Sequence, residues 1–94
     1  MTFKKHWITG KITSSDGYSV RIISRGALVY DDERNRIVIG IEILQGRAVD
    51  IFRDQVWTDQ NSQHRLTDTP LKNEVLNRVT AALEFCGTKV EVID

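Results

Sequence analysis

Between Ile37 and Leu44 every second residue is isoleucine. Ile37, Ile39, Ile41 and Ile43 alternate with Val38, Gly40, Glu42 and Leu44. Successive side chains on a strand point to opposite faces, so the four isoleucines share one face. That face is expected to meet the core. Other segments before residue 58 also read as strands. Phe3 to Ile12 carries aromatic and β-branched residues and ends at Ser14-Ser15-Asp16-Gly17, a strong turn cluster. Tyr18 to Ser24 returns, Arg25-Gly26 breaks the run, and Ala27 to Tyr30 starts the next strand. Asp31-Asp32-Glu33-Arg34-Asn35 forms a charged hairpin tip ahead of the isoleucine strand. After the turn at Gln45-Gly46, Arg47 to Arg53 returns with Val49 and Ile51 on one side and Phe52 on the other.

The pattern then changes period. Thr58 to Asp68 is polar and aperiodic, a long loop of the kind that often carries function. Thr69-Pro70 reads as a helix start, with Thr69 as the N-cap and Pro70 at the first helical position. At about 100° per residue, Leu71, Val75, Leu76, Val79, Ala82, Leu83 and Cys86 fall on one broad face. Asn73, Asn77, Thr80 and Glu84 lie opposite, and Gly87 supplies the stop. Lys89 to Ile93 closes as an alternating strand. The helix must bury its apolar stripe, and the isoleucine face is the natural partner. The expected fold is therefore α+β: an antiparallel β-meander of about five strands, one amphipathic helix packed on one face, and a C-terminal strand.

The chain has 94 residues, which suits a single domain over 1–94. Hydrophobic residues make up 40% and charged residues 28%, ordinary values for a soluble protein. No apolar run approaches the ~20 residues a membrane helix needs, so no membrane association is expected. Cys86 is the only cysteine. That excludes a disulfide scaffold and, with no secretory signal in view, points to the cytoplasm. Formal net charge is zero, which argues against a dedicated nucleic-acid binder. The charge is uneven, however. Residues 1–25 carry Lys4, Lys5, Lys11, Arg21 and Arg25 against Asp16 alone, a net +4, leaving −4 on the remainder.

Catalytic chemistry finds little support. His6 and His64 are far apart, and one cysteine makes no zinc-ligand cluster. His64, Asp59 and Asp68 share a polar loop, but such loops collect these residues without binding anything, so neither metal nor cofactor is expected. Cys86 sits on the helix's apolar arc, as an inert core thiol would. Ser62 lies near His64 with nothing to orient the pair. Asp31, Asp32 and Glu33 are adjacent carboxylates on a solvated hairpin tip, where nothing splits their pKa values for acid–base work. Trp57 ends a strand and suits either core packing or an interface. Trp7, among basic residues, could stack on a single-stranded nucleic acid. The chain reads as a non-enzyme.

One succession of residues goes further. Val20 to Tyr30 precedes the acidic hairpin; Ile37 to Leu44, Val49-Asp50-Ile51-Phe52 and Trp57 follow. The helix from Pro70, Leu83-Glu84-Phe85, Gly87 and Val90-Glu91-Val92 complete it. This resembles bacterial immunity proteins that neutralise polymorphic toxins, in particular the immunity protein 74 family. The resemblance covers about three-quarters of the chain; residues 1–19 are an N-terminal extension outside it, and the loop 58–68 departs from it in length. It implies a binding protein whose partner is the C-terminal domain of one cognate toxin, often a nuclease. Phosphate-binding nuclease surfaces are basic, so an acidic inhibitor is steered toward them. Asp31, Asp32, Glu33 and Asp59 are then the candidate toxin-binding residues, with Trp57, if exposed, as an aromatic anchor. Two other readings stay open. One is a nucleic-acid-binding module using Lys4, Lys5, Trp7, Lys11, Arg21 and Arg25; the other is a subunit that self-associates, for instance as a homodimer.

Overall fold

A computed structural model describes residues 2–6, 8–58 and 64–94. Its strands are β1 (Phe3–Lys5), β2 (Ile12–Ser14), β3 (Tyr18–Ser24), β4 (Ala27–Asp32), β5 (Arg36–Leu44), β6 (Ala48–Trp57) and β7 (Lys89–Ile93). The helix α1 (Thr69–Phe85) lies between β6 and β7. The strands form one sheet in chain order. Five antiparallel pairings run from β1 to β6, and β7 joins β6 in parallel through the helical crossover. The α+β class, the helix and the closing strand are as expected, but the antiparallel meander has six strands, β1 to β6, rather than about five.

The extra strand comes from the N-terminal segment. The run expected as one strand over 3–12 is two short ones. Gly10 takes φ +70°, a left-handed conformation that favours glycine, and its N–H donates to the His6 carbonyl at 2.8 Å. The chain therefore reverses before Ile12, and Phe3 pairs with Ser14.

The sheet curls around the helix. In a flat sheet the six spacings between β1 and β7 would span about 29 Å at about 4.8 Å each. Yet Phe3 of β1 lies 5.3 Å from the Phe85 ring of α1, and Val90 and Val92 of β7 pack on the same core as the helix. Val75, Leu76, Val79, Ala82 and Leu83 bury the helical stripe. Leu28, Tyr30, Ile37, Ile39, Ile41, Val49 and Ile51 face it from the sheet. Ile43 keeps to the isoleucine face, opposite the buried Val49, but is 45% exposed instead of meeting the core. Pairing between β4 and β5 ends at Gly40, so Ile43 has no neighbouring strand on that side.

Two local features fix the helix. The N-cap is Asp68, one residue before the Thr69 expected from sequence; its side chain accepts the Leu71 N–H at 3.1 Å. At the far end Gly87 takes φ +81°. Its N–H donates to the Glu84 carbonyl and that of Thr88 to the Leu83 carbonyl, which makes a Schellman motif. Cys86 is the C-cap and packs, partly buried, against the core.

β6 gains residues opposite Gly40. Ile39 faces Val56 and Ile41 faces Ile51, so β6 bulges through residues 52–55. A Cβ on Gly40 would lie 2.7 Å from the Gln55 Cβ, which explains glycine mid-strand. Beyond β6 the chain folds back on itself. Thr58 N–H donates to the His64 carbonyl and Leu66 N–H to the Val56 carbonyl, which buries Leu66 in the core. Among the described residues no helix is long and apolar enough to cross a membrane.

Candidate functional site

Charged side chains gather in three places: the β4–β5 hairpin tip, and two halves of the sheet face that turns away from α1. At the tip, Asp32 is built into the turn. Its Oδ1 accepts the N–H groups of Arg34 (2.8 Å) and Asn35 (2.7 Å), and its Oδ2 accepts the Tyr30 hydroxyl at 2.7 Å. Arg78 reaches from α1 to the same group. Its Nη1 donates to the Tyr30 hydroxyl at 2.8 Å, its Nη2 lies 2.9 Å from Glu74, and its guanidinium stacks over the Tyr18 ring.

These contacts set the protonation of the network. Burial pushes the Tyr30 hydroxyl up to about 12; the hydrogen bond to Asp32 acts the same way and Arg78 opposes it. Burial also raises Tyr18. For Asp32, burial raises the pKa, but the hydrogen bonds from Tyr30, Arg34 and Asn35 outweigh it and hold the carboxyl below its ordinary value. Beside the network opens a cleft of about 320 Å³ between the tip, the β2–β3 turn and the N-terminal half of α1. Asp16, Glu33, Arg34 and Glu74 are among the residues that line it.

The outer sheet face divides by charge. Toward β1 the positions are basic: Lys4 pairs across to Thr13, then Ser19, Asp31 and Arg36. Lys11 and Arg21 line a shallow depression with Asp31 and Arg36. An adjoining row runs Arg21, Val29, Val38, Trp57 and Arg65, each directly opposite the next. Trp57 is half-buried there, with the Arg65 guanidinium 5.0 Å from its ring centre. Toward β7 the face carries a row of acids, with Lys89 beside it on β7. Glu42 stands opposite Asp50, and Asp50 opposite Glu91. Among the described residues no cation pairs with any of the three. Like charges directly opposite on neighbouring strands destabilise a sheet.

The candidates drawn from sequence therefore separate. Asp32 and Glu33 sit at the cleft, the first engaged in the turn and the second exposed. Asp31 points to the outer face and pairs with Arg36 at 3.3 Å. Trp57 lies on the outer face, away from the hairpin cleft. Asp59 falls outside the described residues, as do Trp7 and Ser62. Asp68 is occupied as the helix cap. Sequence reasoning passed over Glu42, Asp50 and Glu91. Each sits at an outward position of its strand, but only the register between strands brings them into line. Comparison of the chain with protein-family models, with curated proteins and with solved structures found no match.

Proposed function

We propose that this protein acts by binding a macromolecule with a basic surface, as an immunity protein that neutralises a cognate bacterial toxin domain in the cytoplasm. The observation that supports this reading is the ladder of Glu42, Asp50 and Glu91. Three carboxylates aligned across adjacent strands cost stability in the free protein. A partner bearing lysine or arginine removes that cost on binding, and the same charges speed its approach. Glu33 and Asp16 line the separate hairpin cleft beside α1 and are not part of this ladder. The resemblance to the immunity protein 74 family points the same way and makes a phosphate-binding toxin, such as a nuclease, the fitting target. The test is rescue. Cells expressing the toxin domain encoded beside this gene should grow when this chain is co-expressed and die when it is not. Absence of such a neighbour, or death despite co-expression, counts against the proposal.

A second reading has its own observation. Arg21, Trp57 and Arg65 lie in one row beside Lys4, Lys11 and Arg36, a combination that can hold single-stranded nucleic acid by phosphate contact and stacking. Salt-sensitive retention on an oligonucleotide column, lost in Trp57→Ala, would favour it; no retention at low salt excludes it.

A further inference from the structure

The sheet ends in two strands, and they differ. β1 is three residues long and carries Lys4 and Lys5, and lysine on an edge resists pairing. β7 runs five residues in unbroken register with β6, with neither proline nor bulge. Backbone groups alternate between the two sides of a strand. The Lys89 N–H donates toward the β6 side, to the Arg47 carbonyl at 2.8 Å. Glu91 and Ile93 therefore face β6 as well, and the N–H and C=O groups of Val90 and Val92 face away from it. Among the described residues β6 is the only strand beside β7, so those groups can take up another strand.

The side chains specify which strand. Val90 and Val92 pack toward the core, so Lys89 and Glu91 stand on the outer face, one on each side of Val90. A complementary segment needs an acid opposite Lys89, a base opposite Glu91 and an apolar residue between them. Read antiparallel, β7 is itself that segment. A uniformly basic strand would set a cation against Lys89, and a uniformly acidic one an anion against Glu91. Turned about a two-fold axis at Val90, a second copy puts its Glu91 opposite Lys89 and its Lys89 opposite Glu91. Both pairs fall at the non-hydrogen-bonded positions, where facing side chains come closest. Val90 exchanges both backbone bonds with its counterpart. The Val92 N–H donates to the Thr88 carbonyl of the other copy, while the Thr88 N–H is already taken by the Leu83 carbonyl. Neighbouring arrangements fail on charge. About Glu91 that carboxylate meets its own copy, beside Asp50 and Glu42, and a parallel pairing in register sets like against like. About Val90 the ladder of acids ends on a cation, which leaves Glu42 and Asp50 open on the face.

We propose that the chain forms a two-fold symmetric dimer through β7, paired antiparallel about Val90, which joins two sheets into one. The dimer goes beyond the toxin-binding function and does not depend on it.

Sedimentation equilibrium on the whole chain at low salt reads the mass, which should rise with concentration from 10.8 kDa toward twice that value. Amide exchange at Val90 and Val92 should slow over the same range. Charge reversal tests the register. Lys89→Glu leaves two glutamates on the edge and Glu91→Lys leaves two lysines, so each variant alone should dimerise about tenfold more weakly. Mixed together, the two variants should pair, because every acid again faces a base. The chain carrying both replacements should dimerise like the parent. Both positions are exposed, so the fold tolerates the changes. A mass that stays at 10.8 kDa at every concentration, dimerisation indifferent to either single replacement, or mixed variants that do not pair would overturn the proposal.

Discussion

The Arg78 guanidinium lies 2.8 Å from the Tyr30 hydroxyl and so fastens the middle of the helix to the β4–β5 hairpin. The same hydroxyl donates to Asp32, which orders the hairpin tip. One buried oxygen thus joins helix, strand and turn. Tyr30→Phe should cost about 1–2 kcal/mol, because Arg78 and Asp32 each lose a partner in a half-buried site. In a double-mutant cycle with Arg78→Ala, measured by urea unfolding, the two should couple by about 1 kcal/mol. Additive losses would show that the contact contributes nothing.

The network also fixes the alkaline limit of stability. Tyr30 moves from 10.0 in the unfolded chain up to about 12 when folded, so the folded state holds its proton longer. Its contribution is complete below about pH 10 and is lost as pH rises toward about 12. The chain has two tyrosines, and Tyr18 is raised too. Tyrosinate absorbance should therefore lag behind that of a model tyrosine and rise together with loss of structure. Titration of either tyrosine at its ordinary pKa in the folded protein would contradict this. Asp32 works in the opposite sense: its lowered pKa adds stability above 3.8 that disappears as pH falls further.

The helix cap separates two readings of one segment. Thr69-Pro70 looks like cap and first helical residue, but the observed cap is Asp68. Asp68→Ala should cost about 1 kcal/mol and Thr69→Ala only a few tenths at about the noise of the measurement. The reverse order in chemical denaturation would restore the sequence-based assignment.

Much of the fold was legible because its signals are local. The period-2 run at Ile37–Ile41 and the helical stripe from Leu71 to Cys86 declare which faces are buried, and all seven stripe residues pack on the core. Gly87 marks the helix end for a stereochemical reason. What escaped depends on partners distant in sequence. The reversal at Gly10 is hidden in a run with strand-like composition. Leu66 becomes core only because residues 64–66 fold back along β6. Of the hairpin acids, Asp31 and Asp32 are neighbours in the chain but face opposite sides, so one pairs with Arg36 and the other with Tyr30. The ladder of Glu42, Asp50 and Glu91 requires both the bulged β5–β6 register and the parallel placement of β7, and neither is written in any single segment.

That ladder makes a prediction opposite in sign to most substitutions. Asp50 stands between two carboxylates, so Asp50→Asn should stabilise the free protein by about 0.2–1 kcal/mol at low ionic strength. The gain should shrink as salt rises, because exposed charges are screened. A loss of stability in urea, or a gain independent of salt, would mean that the three carboxylates do not repel.

The central claim is that this chain presents an acidic surface to a basic macromolecular partner, and calorimetric titration against the neighbouring toxin's C-terminal domain tests it most directly. The account predicts a stoichiometric complex whose affinity falls as salt is raised, and falls further when Asp50 and Glu91 are both replaced by lysine. No heat of binding at low salt, or an affinity indifferent both to salt and to those replacements, would contradict it.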